Sequence, residues 1–171
     1  LRALLRKGEG AHETLSAGEI VREVLKLARS DLINHGVNFD AELPDDLPPV
    51  RGDRIQIQQV LLNLVMNACD VMEGIEPEER MLVVSVAPHA PGHLRVTVRD
   101  SGTGIPPGQL EQIFTPFFTT KGKGMGLGLA VCRTIVTSHA GEIWATNNPD
   151  RGASIHFTLP VSTEPIEGEA E

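Results

Sequence analysis

The sequence has little cysteine, no initiating methionine and no long apolar run. Its two cysteines, Cys69 and Cys132, both lie within apolar helical patterns. Two free core thiols in a reducing cytoplasm are therefore expected, and a single disulfide between them is the alternative. No stretch approaches the roughly 18–20 uninterrupted apolar residues of a membrane-spanning helix. Because the chain begins with Leu1 and shows no signal peptide, we expect a cytoplasmic piece of a longer protein, whether or not the parent is membrane-anchored.

Basic residues are also scarce. Lysine and arginine number 15 against 23 aspartates and glutamates, which gives a formal charge of −8. This acidity disfavours a broad phosphate-binding surface, so no nucleic-acid partner is expected. Residues 161–171 hold four acids and no base and are predicted to form a disordered tail. Half of the net negative charge therefore belongs to the tail.

The remaining composition suits one globular domain. The chain has 171 residues, of which 40% are apolar and 22% charged, and this is enough to bury a single hydrophobic core. Residues 1–7 are predicted to be the end of a helix that begins upstream, and residues 8–15 a linker. The domain itself is expected over residues 16–160.

Helical periodicity and capping residues predict three helices. Ser16 with Glu19, and Asp53 with Gln56, have the spacing of N-terminal caps. The predicted helices cover residues 16–36, 53–72 and 126–139, with strands at 37–43, 82–87, 94–100, 142–147 and 154–159. This order indicates an α+β fold, a two-layer sandwich in which helices cover one face of a mixed sheet.

A stripe of polar side chains interrupts the second predicted helix. Gln59, Asn63, Asn67 and Asp70 follow one another at spacings of four, four and three, which places them on one face of an otherwise apolar helix. The stripe could simply face solvent. Asparagine is a poor helix former, however, and an amide oxygen is a suitable ligand for Mg²⁺.

An aspartate and two glycines follow the third predicted strand. Asp100 can accept hydrogen bonds from a ligand amine, and Gly102 and Gly104 allow close backbone approach or positive φ. An ordinary Asp/Ser/Gly turn is the alternative. The segment opens a long stretch, residues 101–125, with at most one short helical turn, and such long loops in compact domains are usually functional or disordered.

That loop contains a phenylalanine-rich segment, Ile-Phe-Thr-Pro-Phe-Phe-Thr-Thr-Lys at residues 113–121. The aromatic side chains could anchor the loop to the core. Alternatively, they dock a mobile lid whose Thr119, Thr120 and Lys121 side chains face phosphate.

Glycines precede the third predicted helix, in Gly-Lys-Gly-Met-Gly-Leu-Gly-Leu-Ala at residues 122–130. Glycines at a helix N-terminus expose amide N–H groups to an anion. The segment does not match a Walker A motif, and it lacks the preceding strand of a dinucleotide-binding fingerprint.

Together and in this order, the four clusters resemble the N, G1, F and G2 boxes of the ATP-binding domain of sensor histidine kinases. The resemblance covers roughly residues 16–160 and is strongest to the nitrogen-regulatory and oxygen-sensor branch. It implies the Bergerat fold shared with gyrase, Hsp90 and MutL, with a mainly antiparallel sheet and about three helices on one face.

The resemblance also implies roles for individual residues, with ATP and Mg²⁺ as the bound species. Asp100 would accept the adenine amino group, while Asn67 would hold Mg²⁺ and Asn63 would assist at the phosphates. Lys121 would approach the terminal phosphate and, with Asn63, form the catalytic pair. The remaining implied nucleotide-binding residues are Gly102, Gly104, Thr119, Thr120, Gly124, Gly126, Leu127 and Gly128.

By the same resemblance, the γ-phosphoryl group goes to a histidine on a dimerisation hairpin of the same protein, which this chain lacks, and a response regulator is an indirect partner. The isolated fragment is expected to be a monomer. Asn63 replaces the glutamate with which ATPase relatives activate water, so transfer is favoured over hydrolysis. An ATP-driven conformational machine and an anti-sigma-factor-like serine kinase are the alternatives. The chain departs from the family pattern at Asp70, where many kinases have lysine, and at Ala153, where many have threonine.

Overall fold

The structure, a computed structural model, describes residues 12–118 and 128–166. Two of its helices begin where polar side chains cap them. The Ser16 hydroxyl accepts the Glu19 N–H at 3.2 Å, and the Asp53 carboxylate accepts the Gln56 N–H at 3.1 Å. Both predicted caps are confirmed. The described residues form helices α1 (Ala17–Asn34), α2 (Arg54–Val71) and α3 (Gly128–Ser138).

The strands of the described chain form a five-stranded sheet and a separate two-stranded sheet. In chain order they are β1 (His12–Leu15), β2 (Asn38–Glu42), β3 (Val50–Asp53), β4 (Met81–His89), β5 (His93–Asp100), β6 (Ile143–Asn147) and β7 (Ala153–Pro160). The larger sheet has the order β2-β4-β5-β7-β6. Only the β2–β4 pair among these is parallel, so the predicted mixed, mainly antiparallel sheet is confirmed.

Alternating burial along the central strands shows where the core lies. On β5, Leu94, Val96 and Val98 are buried, and they share one core cluster with apolar residues of all three helices. Helices therefore cover one face of the sheet, as the α+β prediction requires. Among the helices of the described chain, none is long and apolar enough to cross a membrane.

The two-stranded sheet was not predicted. His12–Leu15, expected to be linker, pairs antiparallel with Val50–Asp53, so that Leu15 lies opposite Val50. Val161 bridges Val50 from the other side, and the Ser162 and Thr14 hydroxyls lie 2.9 Å apart. The ordered unit thus includes residues on both sides of the predicted 16–160 boundary. The expectation that the tail is disordered from residue 161 onward does not hold for Val161 and Ser162.

A buried histidine joins the start of α2 to the end of α3. His139 Nε2 accepts the Asp53 N–H at 3.0 Å, and Nδ1 donates to the Ile135 carbonyl at 2.8 Å. These two bonds fix the neutral tautomer of the imidazole. The His12 ring of β1 stacks on it with centroids 4.6 Å apart, and burial lowers the pKa of His12.

Candidate functional site

Asp100, at the carboxyl end of β5, is held in place by the backbone around it. Its side chain is 9% exposed. Oδ1 accepts the N–H of Gly102 at 2.8 Å and that of Ala153 at 3.2 Å. The Asn148 Nδ2 atom donates to the Asp100 carbonyl at 3.0 Å. The predicted base-recognition residue is therefore a nearly buried carboxylate in a fixed orientation.

Close backbone approach explains why two glycines border this carboxylate. A Cβ atom at Gly152, where φ is +79°, would lie 2.1 Å from the Asp100 carbonyl oxygen. A Cβ at Gly102 would lie 3.0 Å from Asp100 Oδ1 and 3.1 Å from the Val71 carbonyl oxygen. The end of β5, the loop before β7 and the last turn of α2 thus converge at one place. Gly152 was not among the predicted site residues.

Asn147, also absent from the prediction, holds the start of the loop that follows Asp100. Its Oδ1 accepts the Ile105 N–H at 2.8 Å, and its Nδ2 donates to the Ile105 carbonyl at 2.7 Å. Gly104 next to this clamp has φ +83°, which suits a glycine at the predicted hinge. One asparagine side chain therefore replaces a pair of strand hydrogen bonds at the base of the loop.

The polar stripe on α2 divides into two kinds of residue. Gln59 and Asp70 are exposed, whereas Asn63 and Asn67 between them are half-buried. Within the stripe, only the middle pair is therefore shielded in part from solvent, and the asparagines, rather than the whole stripe, are the candidate ligands.

Asn63 contacts α3 through a buried cysteine. Its Nδ2 atom donates to Cys132 Sγ at 3.7 Å, and the Cys132 thiol donates to the Val60 carbonyl at 3.8 Å. Burial raises the pKa of the Cys132 thiol to about 11, so the thiol is neutral. Because Nδ2 of the Asn63 amide faces the sulfur, its Oδ1 atom points away from Cys132. Cys69 and Cys132 are both free and buried, as predicted.

The phenylalanine-rich segment is anchored by one of its aromatic rings. Phe114 is 2% exposed, and the Arg133 guanidinium of α3 lies 4.9 Å from its ring centroid. Phe117 is instead 69% exposed and has φ +67°, an unusual conformation for a bulky residue. The described part of the loop has two short 3-10 helices, Pro107–Gln109 and Gln112–Phe114, where at most one helical turn, around residues 110–113, was predicted.

Several predicted phosphate-binding residues lie outside the described residues. These are Thr119, Thr120, Lys121, Gly124, Gly126 and Leu127. Gly128 is described as the exposed first residue of α3, with open space around its Cα. The structure therefore brings together Asp100, Gly102 and the end of α2, and it links Asn63 to α3, while the glycine-rich cradle stays a prediction.

The sequence matches the family model described as Histidine kinase-, DNA gyrase B-, and HSP90-like ATPase over residues 52–163, more than half of the chain. The chain belongs to this family. It is 35% identical over 163 residues to the sensor histidine kinase TmoS of Ectopseudomonas mendocina, covering 95% of this chain and 17% of TmoS. It is 36% identical over 164 residues to the sensor protein FixL of Bradyrhizobium diazoefficiens, covering 96% of this chain and 32% of FixL.

Solved structures of this family agree with the fold. The nucleotide-free catalytic domain of histidine kinase ThkA superposes with a TM-score of 0.77 at 34% identity, covering 88% of this chain and 95% of that one. ThkA has also been solved in complex with the response regulator protein TrrA, with a TM-score of 0.73 at 32% identity, covering 88% of this chain and 42% of that one. The family and fold predictions are confirmed, and the chain is a catalytic ATPase domain of the histidine kinase type. It spans between 17% and 32% of the length of TmoS and FixL.

Proposed function

We propose that this domain binds Mg-ATP with the adenine against Asp100 and transfers the γ-phosphoryl group to a histidine on a dimerisation hairpin of the same protein. The observation that carries the proposal is the fixed, nearly buried Asp100 carboxylate, at the meeting point of β5, β7 and α2. A carboxylate in this position accepts a hydrogen bond from the exocyclic amino group of adenine, and such charge-assisted bonds are strong.

Recognition of the base does not need a hydroxyl at position 153. Ala153 supplies a backbone N–H to Asp100 Oδ1, and this bond is independent of its side chain. The absence of the more common threonine therefore removes one side-chain contact to the base edge without releasing the carboxylate. Asp100 carries the adenine specificity.

The half-buried amides of α2 offer oxygen ligands of the kind that Mg²⁺ takes. Mg²⁺ takes oxygen ligands, keeps several waters and uses few protein side chains. Asn67 would supply one amide oxygen, and Asn63, one turn earlier, would face the phosphates. An ion held there would supply charge neutralisation at the phosphates.

Lys121, with Thr119 and Thr120, would contact the terminal phosphate. Gly124, Gly126, Leu127 and Gly128 would place backbone N–H groups around the phosphates at the start of α3. Most phosphoryl-transfer catalysis is positioning and charge neutralisation, which these groups can provide.

Asn63 favours transfer to a protein acceptor over hydrolysis, because an amide cannot act as a general base. We therefore expect Asn63→Glu to raise ATP hydrolysis in the absence of any acceptor by about tenfold or more. Phosphate release measured by a coupled assay reports the rate, and Asn63→Gln serves as the matched control. Brisk hydrolysis by the wild-type domain would contradict this assignment.

The proposed partners are the acceptor hairpin and, through it, a response regulator, in the cytoplasm. The complex of ThkA with TrrA and the sensor kinases among the relatives support this place in two-component signalling.

A phosphotransfer assay in trans tests the whole proposal. The domain is mixed with Mg²⁺, γ-³²P-labelled ATP and a separately purified hairpin of the parent protein that carries its acceptor histidine. We expect acid-labile label on the hairpin and none on a hairpin whose acceptor histidine is changed to glutamine. Acid-stable label on serine would instead support a serine kinase, and rapid phosphate release without label would support a conformational ATPase.

A further inference from the structure

A histidine and two carboxylates meet where α1 and α2 end. His35 is the C-cap residue of α1, Asp70 lies in the last turn of α2, and Glu73 follows that helix. One ligand atom from each side chain lies within 4.8 Å of the other two. We propose that His35, Asp70 and Glu73 bind a divalent transition-metal ion, with Zn²⁺ as the best fit.

The hydrogen bonds of His35 orient its ring for this role. Nδ1 lies 2.7 Å from the Asp31 carbonyl oxygen, and because a carbonyl only accepts, Nδ1 carries the proton. Nε2 is therefore the ring atom left to bind a metal ion, and it faces Glu73, whose Oε1 is 3.8 Å away. That separation is too long for a hydrogen bond. Metal-binding histidines commonly donate the other ring N–H to a backbone carbonyl in this way.

The local charge favours a cation. Helix C-termini carry partial negative charge, and neither α1 nor α2, both within residues 12–118, has a basic residue in its last turn. Glu73 and Asp70 add two carboxylates at the same place, and Asp31 lies one turn before His35.

Arg80 opposes the cation electrostatically but positions its ligands. The guanidinium donates to the carbonyl oxygens of His35 at 2.6 Å, Glu73 at 3.0 Å and Ile75 at 3.0 Å. It thereby ties the backbones that carry two of the three ligands. The two carboxylates of the cluster, those of Asp70 and Glu73, outnumber this single guanidinium, so the summed charge stays negative.

The ligand chemistry separates this site from a magnesium site. Mg²⁺ and Ca²⁺ take oxygen ligands, whereas an imidazole nitrogen with two carboxylates suits Zn²⁺, with water as the fourth ligand. Asp70 and Glu73 are exposed, so their side chains can rotate to bring three ligand atoms to about 2.0–2.2 Å from one ion. The inference does not depend on nucleotide binding.

Metal titration of the whole chain tests the site without nucleotide. Chelator-treated protein is titrated with Zn²⁺ by calorimetry, and we expect one site with a Kd in the micromolar range. Zinc at 100 times Kd should raise Tm by several degrees. A hundredfold excess of Mg²⁺ should not displace the zinc. Failure to bind zinc, or displacement by magnesium, would overturn the proposal.

Matched variants identify the ligands. We expect His35→Gln, Asp70→Asn and Glu73→Gln each to weaken zinc binding at least tenfold. Glu76→Gln, which alters a nearby exposed carboxylate, should leave the Kd unchanged. Thermal denaturation without metal shows whether each variant is folded. Unchanged zinc affinity in folded Glu73→Gln and Asp70→Asn proteins would place the ion elsewhere and overturn the assignment.

Discussion

The surroundings of Asp100 and the amide face of α2 border the same candidate site but are built differently. Asp100 and the adjoining loop are held by hydrogen bonds of 2.7–3.2 Å from Gly102, Ala153, Asn147 and Asn148. Among the described residues, Asn63 has one side-chain partner, a sulfur atom at 3.7 Å. Sulfur hydrogen bonds of this kind are weak. The proposed base-binding side is thus held in place by hydrogen bonds, whereas the proposed phosphate-binding side has amides that can reorient when a ligand arrives.

The largest effect on stability is expected from Gly152→Ala, which disrupts the hydrogen-bonded surroundings of Asp100. The new Cβ would meet the Asp100 carbonyl oxygen at 2.1 Å in a left-handed backbone conformation. We expect a loss of about 3 kcal/mol or more in the free energy of unfolding, measured by urea denaturation. Gly108→Ala, where nothing lies within 4 Å, should change it by less than about 0.5 kcal/mol. A loss below 1 kcal/mol in Gly152→Ala would show that this region is not rigid.

Asp100→Asn should separate nucleotide recognition from folding. The amide oxygen of the asparagine can still accept hydrogen bonds from the N–H groups of Gly102 and Ala153. The second carboxylate oxygen, however, is replaced by an NH₂ group, which is a donor and opposes the adenine amino group. We expect about 2–3 kcal/mol of lost binding energy, roughly a 30- to 150-fold rise in the Kd for ATP by calorimetry. Asp46→Asn, at an exposed site, is the control. Unchanged affinity would refute the adenine assignment.

Asn147→Ala should loosen the start of the loop without moving Asp100. It removes both side-chain bonds to Ile105, so we expect a loss of about 1–2 kcal/mol. Hydrogen exchange at the Ile105 amide should accelerate, while amides of β4 keep their protection. Equal acceleration in β4 would mean that the change acts on the whole domain.

The smallest effect on stability and on ATP affinity is expected from Cys132→Ser, at the contact between α3 and Asn63. A hydroxyl can keep both polar contacts of the thiol, to Asn63 and to the Val60 carbonyl. We expect less than about 1 kcal/mol of lost stability and a Kd for ATP within about threefold of wild type. A tenfold weaker affinity for ATP would show that Cys132 positions Asn63 tightly and that the Asn63 amide does not reorient freely.

Local sequence was sufficient to predict the elements with strong caps and periodicity. Asp53 and Gln56 lie three residues apart, so the cap of α2 is visible in a short window. The β1–β3 pair was missed because each strand has four residues and exists only through partners almost 40 residues away.

The candidate site shows the same difference between residues in short motifs and contacts from distant parts of the chain. Asp100, Gly102, Asn63 and Asn67 could be proposed from the sequence because each belongs to a short motif. The supports of Asp100 come from Asn148 and Ala153, 48 and 53 residues later. An Asn-Asn pair before β7 looks like ordinary turn chemistry, so nothing local indicated that these side chains hold the site.

His139 determines how α3 can move relative to α2. The imidazole joins the Asp53 N–H to the Ile135 carbonyl, so the last turn of α3 is attached to the N-cap residue of the helix that carries the asparagines. Gly128 lies at the opposite end of α3 from that attachment. Since α3 has 11 residues, the lever arm is about 15 Å, and a tilt of α3 produces its largest shift at the glycine end.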